Sequence, residues 1–211
     1  MSGRAVYAKG IAKREAILSA ALDVVATHGY RRASVREIAD AVGLSPAGLL
    51  HYFDSKEELF TAILRARDER DGLMFDSAGG RSFTADDGAG VRPEKAIETF
   101  LAVLRHNAAV PGLVQLYAQL SAEVADPDHP ARAYFLERTE HAERIAVLWV
   151  SRAQEEGLFR ADLDPAWIVR TLHALADGLQ PLWLLDPELD MAAHVGQFIE
   201  LLKPVPPAPE R

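Results

Sequence analysis

The sequence predicts an all-α chain of nine helices, a three-helix N-terminal domain followed by a six-helix domain. Three observations carry this. Apolar residues recur at spacings of three and four almost throughout, and no stretch alternates as a strand would. Capping residues and helix-stopping glycines punctuate those stripes at the offsets that helix ends require. At 211 residues, 49% of them hydrophobic and 26% charged, the chain has the composition of a globular protein able to bury a sizeable core.

Taken in order, Ile17, Ala21, Val24 and Val25 form a stripe over a first helix from Ile11 to about Thr27, and Gly29 supplies its stop. Ser34 opens a capping box, Ser-Val-Arg-Glu to Glu37, starting a short helix that ends at Gly43. Ser45 caps the third helix, Pro46 to about Phe53, with proline where a missing N–H costs little. Ser55 begins a second capping box, to Glu58, and a longer helix carries Leu59, Phe60, Ile63 and Leu64. Residues 76–92, "DSAGGRSFTADDGAGVR", have no stripe and read as a mobile loop. Pro93 opens a helix, and another runs from Pro111 to about Ala125. A long one spans Ala131 to Glu156 before Gly157. "DLDPAW" caps a helix to about Leu185, and the last runs from Pro187 or Glu188 to Leu202. The tail 204–211, "PVPPAPER", is too proline-rich for helix and is expected to be disordered. The domains are expected to be 1–56, 57–203 and this tail.

Composition narrows the function. With no cysteine, disulfides, thiolate catalysis and Cys-ligated zinc are excluded. The longest apolar run, Ile145–Val150, is far too short to span a bilayer, and the N-terminus has no apolar signal core, so a cytoplasmic location is expected. The net charge of −8 is unevenly spread: residues 1–56 hold eight Lys/Arg against five Asp/Glu, and residues 57–211 fifteen against twenty-six. Basic charge gathered at one end suits a chain whose N-terminus meets a polyanion; a chance imbalance over 56 residues would look the same. No His-Glu-x-x-His, Gly-x-Ser-x-Gly or phosphate-binding glycine loop is present, so an enzyme is the poorest of the readings. No metal or cofactor is expected.

Helix, glycine turn, short helix is the helix-turn-helix pattern: Ser34–Val42, "GLS", then Pro46–Phe53. Ile38, Ala39, Val42, Leu44, Leu49 and Phe53 hold the pair to the first helix. Ser45, Ala47, Gly48, His51 and Tyr52 then point outward. A short helix with small residues on its leading edge has the clearance to enter a major groove. The plainer alternative is a helical bundle packed only for stability.

The stretch "ILSAALDVVATHGYRRASVREIADAVGLSPAGLLHYFDSKEELFTAIL" resembles the DNA-binding domain of the tetracycline-repressor (TetR) family, over roughly Ile11 to Leu64. The resemblance implies a homodimeric repressor that binds an inverted-repeat operator in double-stranded DNA and is released by a small molecule. By position it implies that Arg36, near the start of the second helix beside Ser34, faces the groove. Ser45, Ala47 and Gly48 would read base edges, and Tyr52 and Lys56 would contact phosphates, with His51 nearby. Where the family often carries tyrosine, this chain has Leu50, so one phosphate-directed hydroxyl is missing. Arg4, Lys9, Lys13 and Arg14 form a basic arm that could track the DNA backbone.

Toward the C-terminus, Ile168, Leu172, Leu175, Leu179 and Leu182 make one stripe, and Trp167, Thr171, Ala174 and Gly178 a second of mostly small residues. Val195, Phe198, Ile199 and Leu202 make another. The second and third stripes are expected to form a dimer interface, the place where the family builds a four-helix one. Phe100, Leu104, Tyr117, Tyr134, Trp149 and His173 are expected to line an effector pocket, with Arg138 and His141 as polar candidates. A dimeric helical ligand-binding scaffold without DNA binding is the main alternative.

Overall fold

A computed structural model describes residues 2–29, 33–77 and 92–204, with side chains from Gly10 in the first helix and up to Gly72 in the fourth. Among the described residues there are nine α-helices and no strand: α1 (Ser2–His28), α2 (Val35–Ala41), α3 (Pro46–Leu50), α4 (Lys56–Ser77), α5 (Pro93–Ala108), α6 (Pro111–Glu123), α7 (Arg132–Glu155), α8 (Pro165–Leu185) and α9 (Met191–Leu201). None of these helices is long and apolar enough to cross a membrane.

Three element boundaries depart from the sequence reading. Helix α1 begins at Ser2, well before Ile11. Helix α3 closes at Leu50, and residues 51–55 form the turn into α4. Helix α9 begins at Met191, because Asp190 caps it through a hydrogen bond from Ala193 N–H (2.8 Å). Of the expected loop, Asp76 and Ser77 belong to α4, and residues 78–91 lie outside the described residues, as does 205–211 of the tail.

The chain divides into two compact units, Met1–Asp71 with Ala109–Phe135, and Gly72–Ala108 with Leu136–Arg211. The first extends well beyond residue 56 for a physical reason. Helices α1, α2 and α3, the last two short, have too little apolar surface by themselves to close a core. Here Ile17, Ala21 and Val25 of α1, Ile38 of α2 and Leu49 of α3 share one buried cluster with Phe60, Ile63 and Leu64 of α4 and Leu113 and Leu116 of α6. Helix α6 presses so closely on the end of α1 that a Cβ on Gly112 would overlap the Val25 carbonyl oxygen. Tyr134, at the start of α7, donates a hydrogen bond to Asp68 (2.6 Å), while the Arg65 guanidinium lies 4.9 Å from its ring centre.

In the second unit α9 packs on α5 and α8, and Ala96, Ile145 and Trp149 form a small cluster joining α5 to α7. Gly157 ends α7 with φ +72°, and Leu158 N–H bonds back to the Ala153 carbonyl (2.8 Å). Gln154 donates to the carbonyls of Arg160 and Leu163, and Arg160 N–H to that of Leu202 (2.7 Å), tying this turn to the end of α9. The Arg160 guanidinium, bonded to both oxygens of Asp162, holds that exposed carboxyl below its ordinary range.

Candidate nucleic-acid interface

The geometry of α2 and α3 is written in their ends. Ser34 Oγ accepts the Glu37 N–H (3.2 Å) and the Glu37 carboxylate accepts the Ser34 N–H (3.0 Å), a complete capping box. At the other end Gly43, at φ +68°, donates to the Asp40 carbonyl and Leu44 donates to that of Ala39 (2.9 Å). This paired bonding satisfies carbonyls that the helix end would leave bare, and its left-handed corner strains any residue but glycine. The chain then turns into Ser45, whose Oγ accepts the Gly48 N–H (3.0 Å), with Pro46 in the first turn.

Within α3 only Leu49 is buried; Pro46, Ala47 and Leu50 are exposed and Gly48 is half-buried. His51 is exposed and meets the Tyr52 ring edge-on, with centroids 6.0 Å apart, while Tyr52 packs partly on the core. Arg36 is exposed, 4.0 Å from Asp40 one turn on, and Lys56 is exposed with its ammonium 5.5 Å from the Phe60 ring centre. Gly48 needs a second explanation besides clearance, since a Cβ there would lie 3.2 Å from the capping Ser45 oxygen.

Two members of the expected basic arm are used inside the protein. Lys13 donates to the Val42 carbonyl (3.4 Å), at the negative end of α2, where a cation is favoured. Arg14 stacks over Phe53, 4.7 Å from its centre, and donates to Glu58 (3.2 Å). Glu58 also accepts a hydrogen bond from the Asp54 N–H, and Ser55 Oγ accepts the Glu58 N–H (3.0 Å). The expected second capping box is therefore altered: the carboxylate reaches one residue further back. Lys13 and Arg14 thus brace the turn and the start of α4 rather than standing free. The side chains of Arg4 and Lys9 lie outside the described residues.

The expected effector set is split. Tyr117 and Tyr134 belong to the buried core of the first unit, Tyr117 packed on Phe135 at 5.3 Å. Phe100, Leu104, Arg138, His141, Trp149 and His173 fall in the second unit. Leu104 and Trp149 are buried; His141 lies 3.0 Å from Arg144, and His173 lies 3.4 Å from Asp177, which in turn accepts a bond from the buried Gln180. A groove of about 380 Å³ that no stripe announced runs between α1 and α4, along Ile11, Leu18, Ala62 and Ala66.

The expected interface stripes also need correction. Val195, Ile199 and Leu202 are buried within their own unit because α9 turns that face onto α5 and α8; Phe198 is half-buried. Trp167, Ala174 and Gly178 do face outward, with Thr171 half-buried, and Leu182 and Leu185 continue this exposed line. Leu182 therefore lies with this exposed line and not with the stripe of Ile168 and Leu179, which are buried.

Residues 17–63 match the model of the bacterial regulatory proteins of the tetR family. RutR of Escherichia coli K12, an HTH-type transcriptional regulator, is 48% identical over 54 residues, 26% of each chain, so that likeness spans about a quarter of RutR. The HTH-type transcriptional repressor KstR2 of Mycolicibacterium smegmatis is 30% identical over 167 residues, covering 76% of this chain and 74% of its own. This chain belongs to the TetR family. A TetR transcription regulator from Haloarcula marismortui shares the fold, with a TM-score of 0.69 at 21% identity over 90% of this chain and 95% of its own.

Proposed function

We propose that this TetR-family chain is a cytoplasmic, homodimeric transcriptional repressor that binds an inverted-repeat operator and is released by a small-molecule effector. The observation that carries the reading is α3, a helix capped at its start, anchored by Leu49 alone and bare elsewhere. Such a helix gains little as a core element, whereas its low profile suits insertion into a major groove. Exposed Arg36 and Lys56 supply cations for phosphate.

Release is a population shift: an effector that binds one conformation better draws the dimer toward it. Helix α4 is the natural carrier, because it begins beside α3 and its last six residues, 72–77, count with the second unit. Its Asp68 and Arg65 hold Tyr134 of α7, and its Glu58 holds Arg14 of α1. A repositioned α4 would therefore disturb the brace behind α3.

The test is selection of DNA from a random library by the purified protein, followed by titration of the recovered duplex. A recurring inverted repeat, bound with a steep inverse dependence on salt, is the expected result. Retention of no preferred sequence would favour the ligand-binding scaffold instead.

A further inference from the structure

Within α3 the exposed side chains, Pro46, Ala47 and Leu50, carry no hydrogen-bonding group, although Ser45 before the helix and His51 after it do. Ala47 and Leu50 stand three residues apart, on one side of the helix, and both are exposed, Leu50 at 38%. Neither can donate or accept a hydrogen bond. Of the neighbouring polar groups, Ser45 Oγ is taken up by the Gly48 N–H, while His51 is exposed at the end of the helix. In a major groove, one apolar group distinguishes a base pair, the C5-methyl of thymine. Exposed Arg36 and Lys56 flank the face in sequence and suit phosphates, which favours duplex DNA over an apolar protein surface as the occupant.

We propose that Leu50, with Ala47 beside it, is a specificity-determining residue that reads thymine methyl groups in the operator. The proposal rests on the DNA-binding reading above and adds what that reading leaves open, the chemistry of base selection.

The experiment uses the full-length protein and the selected duplex, resynthesised with deoxyuridine replacing thymine at one position at a time. Deoxyuridine keeps every pairing and groove hydrogen bond and removes only the methyl. At one or two positions in each half-site, affinity should fall about fourfold, as expected for uncovering one methyl-sized group. For Leu50→Ala the ratio of thymine to deoxyuridine affinities should fall toward one at those positions, with the thermal melt unchanged. Uniform tolerance of deoxyuridine by the wild type overturns the proposal, as does an unchanged ratio in Leu50→Ala. If no DNA is enriched at all, the repressor reading falls and this proposal with it, an outcome plainly different from deoxyuridine tolerance.

Discussion

Lys13 can act on DNA or on the protein, and its geometry favours the protein. Its ammonium is bonded to the Val42 carbonyl, so it stabilises the end of α2 that sets the turn. Lys13→Met keeps the apolar stem and removes only the charge. Its operator affinity should fall several-fold, while the slope of log affinity against log salt stays at the wild-type value. A direct phosphate contact would instead reduce that slope by about one unit; salt titration of the two proteins decides between them. Arg14 belongs to the same brace. Its guanidinium joins the Phe53 ring to the Glu58 carboxylate, linking α1, the turn after α3 and the first turn of α4.

At the scale of the element, α3 and α6 make contrasting demands. Ala47 is exposed on α3 and outside the core, so Ala47→Glu should melt as the wild type does. On DNA it should lose about two orders of magnitude in affinity, since a carboxylate beside phosphates costs several kcal/mol. It is a cleaner probe than a change at Gly48, where any side chain also presses on the Ser45 cap. Gly112 is the opposite case: Gly112→Ala forces α6 away from the α1 backbone and should destabilise the first unit by about 1–3 kcal/mol, read as a lower denaturation midpoint. The contrast also explains what was legible in the sequence. Caps at Ser34, Ser45 and Asp164 and the stop at Gly43 depend on residues a few places away, so local spacing revealed them. The close approach at Gly112 and the bond from Tyr134 to Asp68 join residues far apart in the chain, and no local pattern encodes them. The stripes of α8 and α9 were visible as apolar, but periodicity does not say which side meets the protein's own core. Hence the spacing of Val195, Ile199 and Leu202 predicts an apolar face but not that this face is buried within its own unit.

At the scale of the whole molecule, self-association is expected along the exposed line of α8, from Trp167 through Ala174 and Gly178 to Leu182 and Leu185. Such a line is costly to leave in water and suits a second copy of the chain. Among the described residues, no heavy atom outside the adjoining stretch of α8 lies within 4 Å of where a Cβ on Gly178 would stand. Gly178→Leu should therefore leave each protomer folded and weaken self-association by about 1–3 kcal/mol. Sedimentation equilibrium reads the shift, and a mutant that dimerises as tightly as the wild type would move the interface elsewhere.

The division of labour within α3 has a further consequence, for how such a protein can change over generations. A single buried leucine and a serine cap hold the helix, so its exposed positions carry almost no responsibility for folding. Substitutions at 47 and 50, and at exposed His51 just past the end of the helix, should cost no more than ordinary surface changes, within about 0.5 kcal/mol. Duplicated copies of the gene could therefore drift toward new operators through single steps, none of which passes through an unfolded intermediate. The same freedom makes these three positions the place to randomise when a reader of a different DNA sequence is wanted.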